Sequence, residues 1–298
     1  QMCIRDRSGS DPARRIDFCS TSAHRVAGRA IDAIDQTIRP WNKAPTFKTE
    51  DTHPMFSYQL VRKSKLAALQ QQAPAYFELE LLKAVPPQFQ AQCLALFPSS
   101  RSQLRQDVFV LGMSGFKRQV FFVEFGATNG LDLSNTALLE QNFGWTGILA
   151  EPARQWHTDL HANRSAVIDT RCVWRESGAH LDFTEAPRGE NSGLTQFVKK
   201  RRQIRGNTYS VETITLTELL QSHGAPQVID YLSIDTEGSE FDILNAFDFD
   251  SYRFRVITVE HNFAPQRSDI YRILTEHGYR RIAETASRFD DWYVHPDA

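Results

Sequence analysis

Val123-Glu124-Phe125-Gly126-Ala127-Thr128-Asn129-Gly130 is the stretch on which the reading of this chain turns. With Phe121 and Phe122 before it, it forms a short apolar run that ends at a glycine, the pattern of a buried strand emptying into a turn where backbone approaches a ligand. The glycines are spaced G-x-x-x-G, so the dinucleotide fingerprint G-x-G-x-x-G is not met. Glu124 stands two residues before the first glycine. A carboxylate there repels a pyrophosphate and suits a cationic cofactor. Glu151 follows Gly126 by 25 residues, at the tip of a second run, Gly147-Ile148-Leu149-Ala150-Glu151, where an acid can accept hydrogen bonds from both ribose hydroxyls. The competing reading makes Glu124 part of a structural ion pair and Glu151 a neighbour of a helix N-cap.

Outward from this stretch, strand-like and helix-like segments alternate. A helical pattern over 134–143 follows the glycine turn, and one with Trp156 and Leu160 follows the second run. Further strands read near 166–173, 229–234 and 256–260, with a closing pair around 279–283 and 291–295. Such alternation predicts a parallel, doubly wound sheet. Upstream, Leu60, Leu66 and Leu69, then Tyr76, Leu79, Leu82 and Val85, space out amphipathic stretches punctuated by Pro74 and Pro86-Pro87, which predicts a helical cap over 56–98. A further helix is expected from Gln103 to Leu111. Residues 1–55 have no sustained apolar period and read as a poorly ordered extension. Gln1–Arg7 reads as the translation of a sequencing-adapter sequence and is set aside.

Across the 298 residues, 41% are hydrophobic and 23% charged, with a net charge of −2. That balance gives no reason to expect nucleic acid as partner. The basic run Lys199-Lys200-Arg201-Arg202 with Arg205 reads as a solvated face, or as a hold for an anionic substrate. The four cysteines have no C-x-x-C spacing and read as reduced thiols of a cytoplasmic protein. No signal peptide or membrane-spanning stretch is read, so no membrane partner is expected.

Several motifs fall in a fixed order: Ser102-Gln103-x-x-Gln106-Asp107, then 122–130, Ser134-Asn135-Thr136 with Leu139-Glu140, Gly144–Pro152, Asn163-Arg164, Asp230–Glu240 and Val259–Phe263. Together they resemble the FkbM family of methyltransferases over roughly residues 100–298. The resemblance implies an α/β, Rossmann-like class I methyltransferase domain over 99–298. Its sheet would be seven-stranded and mostly parallel, with helices on both faces, and its cofactor S-adenosyl-L-methionine. Carried over position by position, Glu124, Gly126 and Gly130 would surround the methionine end and Glu151 the ribose. The turn at Cys172-Val173 would face the adenine, with Asp169 a rival, and Asp235 would border cofactor and chemistry alike.

Two polar clusters fall beyond the carboxyl ends of strands, where open α/β sheets bind ligands: Asp235 with Glu237, and Glu260-His261-Asn262. Methyl transfer to oxygen needs an acceptor deprotonated, aligned and shielded from water. His261 is a candidate base, since an ordinary imidazole titrates near 6.5, or a hydrogen-bonded core histidine. Glu237 is another candidate base if burial raises its pKa. Asp235, Glu260 and Asn262 also form an all-oxygen set, similar to that of magnesium-dependent catechol-type enzymes, that could hold Mg2+. Otherwise they hold substrate hydroxyls or helix N-termini. Asn135 is a candidate substrate contact, or Ser134-Asn135-Thr136 caps the following helix. Gln103 and Asp107 share a helical face that closes over the cofactor or meets solvent. Trp145 and Trp156 read as core.

The resulting expectation is an O-methyltransferase acting on a hydroxyl of a saccharide, polyketide or related metabolite. The rivals are a nicotinamide-dependent oxidoreductase of nucleotide sugars and a catalytically silent binding module. Acceptor identity and oligomeric state are not written in the sequence.

Overall fold

In a computed structural model, the described residues are 63–202 and 206–297. The 1–55 extension, the adapter-like start and Arg205 lie outside them, as do the side chains of the basic run. Val61–Ala298 form one compact unit. Its helices are α1 (Lys63–Ala84), α2 (Gln90–Leu96), α3 (Gln106–Met113), α4 (Ala137–Phe143), α5 (His157–Asn163), α6 (Thr195–Arg202), α7 (Leu216–Ser222), α8 (Glu240–Asn245), α9 (Arg267–Glu276) and α10 (Glu284–Ser287). None of the described helices is long and apolar enough to cross a membrane.

Seven strands make the main sheet: β1 (Phe121–Phe125), β2 (Thr146–Ala150), β3 (Val167–Asp169), β8 (Val228–Ile234), β9 (Arg253–Glu260), β10 (Arg280–Ile282) and β11 (Asp290–Val294). They lie in the order β10-β11-β9-β8-β1-β2-β3. Pairing is parallel from β3 to β9, while β11 runs antiparallel to β9 and to β10. This is the mostly parallel sheet that the family resemblance implies.

Side-chain alternation splits the strands between two cores. Val123, Phe125, Leu232, Ile234, Ile257 and Val259 face α7, α8 and α9. Phe122, Leu149, Tyr231, Val256 and Trp292 face the other way, onto α3, α4 and the helices that precede them. Leu81, Val85, Cys93 and Phe97 pack into that second core. The upstream helices are therefore part of the domain and not a separate cap.

A second sheet departs from the expectation. The segment read as one strand over 166–173 breaks at Arg171, which folds back on Asp169 through its backbone N–H (2.9 Å) and guanidinium (2.6 and 3.0 Å). Beyond the break, β4 (Cys172–Val173) joins β5 (His180–Glu185), β6 (Gly193–Leu194) and β7 (Asn207–Ile214) in the order β4-β7-β5-β6. Trp174, Phe183, Leu194 and Val211 give it its own small core. Tyr209, Val211 and Thr213 alternate along β7 at the period of a strand, a local cue that the sequence reading did not take up.

Candidate cofactor and acceptor site

The carboxyl ends of β1, β2, β8 and β9 open on a cavity of about 340 Å3, within the size range of small-molecule sites. Gly126 makes the turn possible, but for a reason internal to the protein. At φ 75°, a Cβ there would stand 2.1 Å from the carbonyl oxygen of Asp235. The close approach is between β1 and the loop after β8, with the cavity beside it. Gly130 is absent from the cavity wall; its bare α-carbon makes room for Arg164, whose Cγ would be 2.6 Å from a Cβ at that position. The expectation that Gly130 borders the cofactor is thus corrected.

Glu124 is buried at the cavity wall, and its carboxylate is heavily engaged. It accepts hydrogen bonds from the Asn135 N–H (2.7 Å), the Ser134 hydroxyl (3.1 Å) and the Thr136 hydroxyl (2.5 Å), and Arg164 Nη1 stands 3.7 Å away. The ion-pair reading of Glu124 is therefore correct, and it coexists with a place in the wall. Ser134 serves the helix as well, its Oγ accepting from the N–H groups of Thr136 and Ala137. Asn135 donates to Ser233 Oγ at 2.9 Å. Asn135 lines the cavity, and its Oδ1 is buried with no hydrogen-bond partner among the described residues.

Glu151 accepts from the Thr128 N–H (2.8 Å) and the Ala153 N–H (2.7 Å). A carboxylate has about four acceptor positions, so two remain for hydroxyls of a ligand. Burial, reinforced by the charges of Glu185 and Glu124, pushes its pKa up to about 7 against those two bonds. Cys172 and Val173 line the cavity, yet as strand β4 paired with Thr213 and Ile214, not as a turn after β3. Burial lifts the Cys172 thiol to about 12, so it offers an uncharged wall. Asp169 is turned to Arg171 and His223 (2.8 Å) and stands off the cavity, which removes it as the rival.

At the other end of the cavity, Asp235 and Glu237 come from the loop after β8, Glu260 and Asn262 from the end of β9, and Asp290 from the start of β11. Glu260 and Asp290 are direct partners in the β9–β11 register, a like-charge placement that resists double ionisation. Asp235 opens onto the cavity. Withdrawal from bulk water, then Glu260, Glu237, Asp290 and Glu240, holds its carboxyl well above the usual range. Burial likewise pushes Asp290 up to about 7 although Gln106 donates to it at 2.9 Å, and Glu260 adds to the rise. Gln106 entered the sequence reading only as a motif residue and Asp290 not at all, because nothing local marks two residues 184 positions apart as partners.

His261 does not reach the cavity. Its Nδ1 accepts from the Phe263 N–H at 2.9 Å, and Nε2 points towards Asp291 at 3.7 Å. Glu260 closes β9 and Asn262 stands in the left-handed turn beyond it, and both line the cavity, while His261 between them is buried. Burial, only partly offset by Asp291, holds its pKa below the ordinary imidazole value. The base assignment to His261 is corrected. Asp107 does not close over anything either; it is buried, taking bonds from Ser100, the Arg101 N–H and its own helix start, while Gln103 does line the cavity.

Five non-glycine residues around this region have left-handed backbone: Thr128, Leu133, Glu237, Asn262 and Phe263. Such conformations persist where the surroundings over-determine them and cluster at functional sites. Eight carboxylate side chains line the cavity against one arginine, Arg188, among the described residues. A wall of that sign favours a cation and repels pyrophosphate. Among the described residues no group of three or more His, Cys, Asp or Glu is placed to hold a metal ion; the Asp235, Glu260 and Asn262 set for Mg2+ gains no support, and no step is derived through it. The residues do fit S-adenosylmethionine, whose sulfonium and ammonium match the acidic wall.

The seven-stranded sheet and a cavity at its carboxyl ends define a class I methyltransferase domain, which uses S-adenosylmethionine. A family model of the FkbM methyltransferase domain matches residues 124–281, and the chain belongs to that family. No curated protein sequence matches it. Among solved structures it is similar to precorrin-6y C5,15-methyltransferase from Geobacter metallireducens GS-15, at 11% identity over 59% of this chain and 70% of that one, with a TM-score of 0.32. It is also similar to the CurJ carbon methyltransferase, at 11% identity over 79% and 71%, with a TM-score of 0.33. Likenesses of this size carry no assignment of substrate.

Proposed function

We propose that this chain transfers a methyl group from S-adenosylmethionine to a hydroxyl oxygen of a small-molecule or glycan acceptor, a saccharide, polyketide or related metabolite. The observation that carries the reading is geometric: Asp235, Glu237, Glu260 and Asp290 converge on one end of the cavity at the carboxyl ends of β8 and β9. A carboxylate among Glu260, Glu237 and Asp290 has a higher proton affinity than one in water, which suits an ionised Asp235 to take a hydroxyl proton.

S-adenosylmethionine supplies an electrophilic methyl on a sulfonium. Glu151 takes the ribose hydroxyls, and the wall formed by Glu124 and Asn135 receives the amino-acid end. Glu260 and Asn262 position the acceptor, and Asp235 removes its hydroxyl proton, with Glu237 beside it as a second carboxylate. Gln106 fixes Asp290 at 2.9 Å and so shapes the acceptor end. The gain comes from alignment and from exclusion of water. The acidic wall that suits a sulfonium also speaks against a nicotinamide dinucleotide.

The test uses cofactor labelled with 13C at the methyl. Purified protein is incubated with pooled hydroxylated metabolites, and the product is read by carbon NMR. A methoxyl resonance is expected, and label only in N-methyl or C-methyl positions would overturn the choice of oxygen.

A further inference from the structure

Arg164 belongs to the Asn163-Arg164 pair that the family pattern marks and that no catalytic role absorbs. Its side chain has no exposure to solvent, which for a guanidinium demands complete pairing. Nε donates to Glu140 at 2.7 Å, Nη1 to the Gly130 carbonyl and Ser134 Oγ at 3.1 Å each, and Nη2 to Thr136 Oγ1 at 2.8 Å. Nη1 also stands 3.7 Å from Glu124.

Two of those partners, Ser134 and Thr136, donate their own hydroxyls to Glu124. Arg164 thus fixes the acceptor side of the two hydroxyls whose donor side fixes Glu124. The residue sits at the end of α5, the helix that leaves the Glu151 loop, and its neighbour Asn163 donates to the Asn129 carbonyl at 2.9 Å. The bare α-carbon of Gly130 exists to admit the Arg164 stem.

We propose that Arg164 is a positioning residue that fixes the half of the site receiving the amino-acid end of the cofactor, through Ser134, Thr136 and Glu124, without touching the cofactor itself. The Glu151 half keeps its own anchors, the Thr128 and Ala153 N–H groups. Loss of Arg164 therefore acts on one end of the ligand only. The inference rests on the cofactor placement proposed above.

The test compares two probes, S-adenosylhomocysteine, which carries the amino-acid end, and 5′-methylthioadenosine, which lacks it. Calorimetric titration of Arg164→Gln is expected to show S-adenosylhomocysteine affinity lowered about tenfold or more, with methylthioadenosine affinity held within about twofold. Arg164→Lys should recover part of the loss. Glu140→Gln, which weakens the same cluster from the side away from the cavity, serves as the stability control and should leave the ratio of the two affinities unchanged. If Arg164→Gln does not fold, Arg164→Lys against Glu140→Gln decides the matter. Equal weakening of both probes, or of neither, would overturn the inference. Failure of the unaltered protein to bind either probe would instead sink the cofactor placement.

Discussion

At the scale of single residues, the site is a problem of charge. Four carboxylates, Asp235, Glu237, Glu260 and Asp290, meet at one end of one cavity, and two of them hold protons far more tightly than in water. Replacing Asp235 by Asn removes the proton acceptor and leaves the shape. We expect turnover to fall by about a hundredfold or more, while S-adenosylhomocysteine still binds within severalfold of the original affinity. Release of the demethylated cofactor, followed alongside calorimetry, separates the two effects. A variant with intact turnover would shift the base to Glu237 or Asp290. Glu124 teaches the opposite lesson: an acid that looks reserved for a ligand is largely satisfied by Ser134, Asn135 and Thr136 of its own loop.

At the scale of elements, the decisive join lies between the turn after β1 and the loop after β8. Gly126 is the point of contact, both left-handed and 2.1 Å short of room for a Cβ against the Asp235 carbonyl. Since the obstructing atom is backbone, it cannot swing aside. Gly126→Ala should cost roughly 2–5 kcal/mol, the sum of φ strain and overpacking. Gly178 is also left-handed, at φ 74°, but nothing stands within 4 Å of a Cβ there. Gly178→Ala should therefore cost only about 1 kcal/mol. Denaturant midpoints at unchanged slope would measure both, and equal losses would refute the steric account. The alternation of strands and helices in the main sheet was legible, because strand and helix periods are local properties of the chain. The second sheet was not, since β4 has two residues and the cue that ends β3 is a bond between Arg171 and Asp169.

At the scale of the whole molecule, the acidic cavity links stability, pH and ligand. Glu151 and Asp290 are both raised, to about 7, from ordinary values of 4.5 and 3.8. A folded state that binds protons more tightly than the unfolded chain is most stable below the unfolded values and loses that stability as pH rises through the folded ones. The protein without cofactor should accordingly lose stability progressively between about pH 4 and 8. Asp169, where bonds from Arg171 and His223 outweigh burial, works the other way as pH falls through the acid range. A sulfonium ligand offsets the ionised wall, so S-adenosylmethionine should raise the melting temperature more at pH 8 than at pH 6. Thermal scans at both values check this, and a larger rise at pH 6 would contradict it.

The sequence by itself determined the alternation of strands and helices, the order of the motifs and the sites of the turn glycines. Each of these is set by neighbours a few positions apart, through period, φ preference and residue type. Only the tertiary structure decided what the glycines make room for, that Arg164 stands beside Glu124, that His261 turns from the cavity and that Asp290 meets Glu260. Those outcomes depend on packing between segments tens of residues apart or more, and on burial, which moves a carboxylate's proton affinity without leaving a mark on the chain.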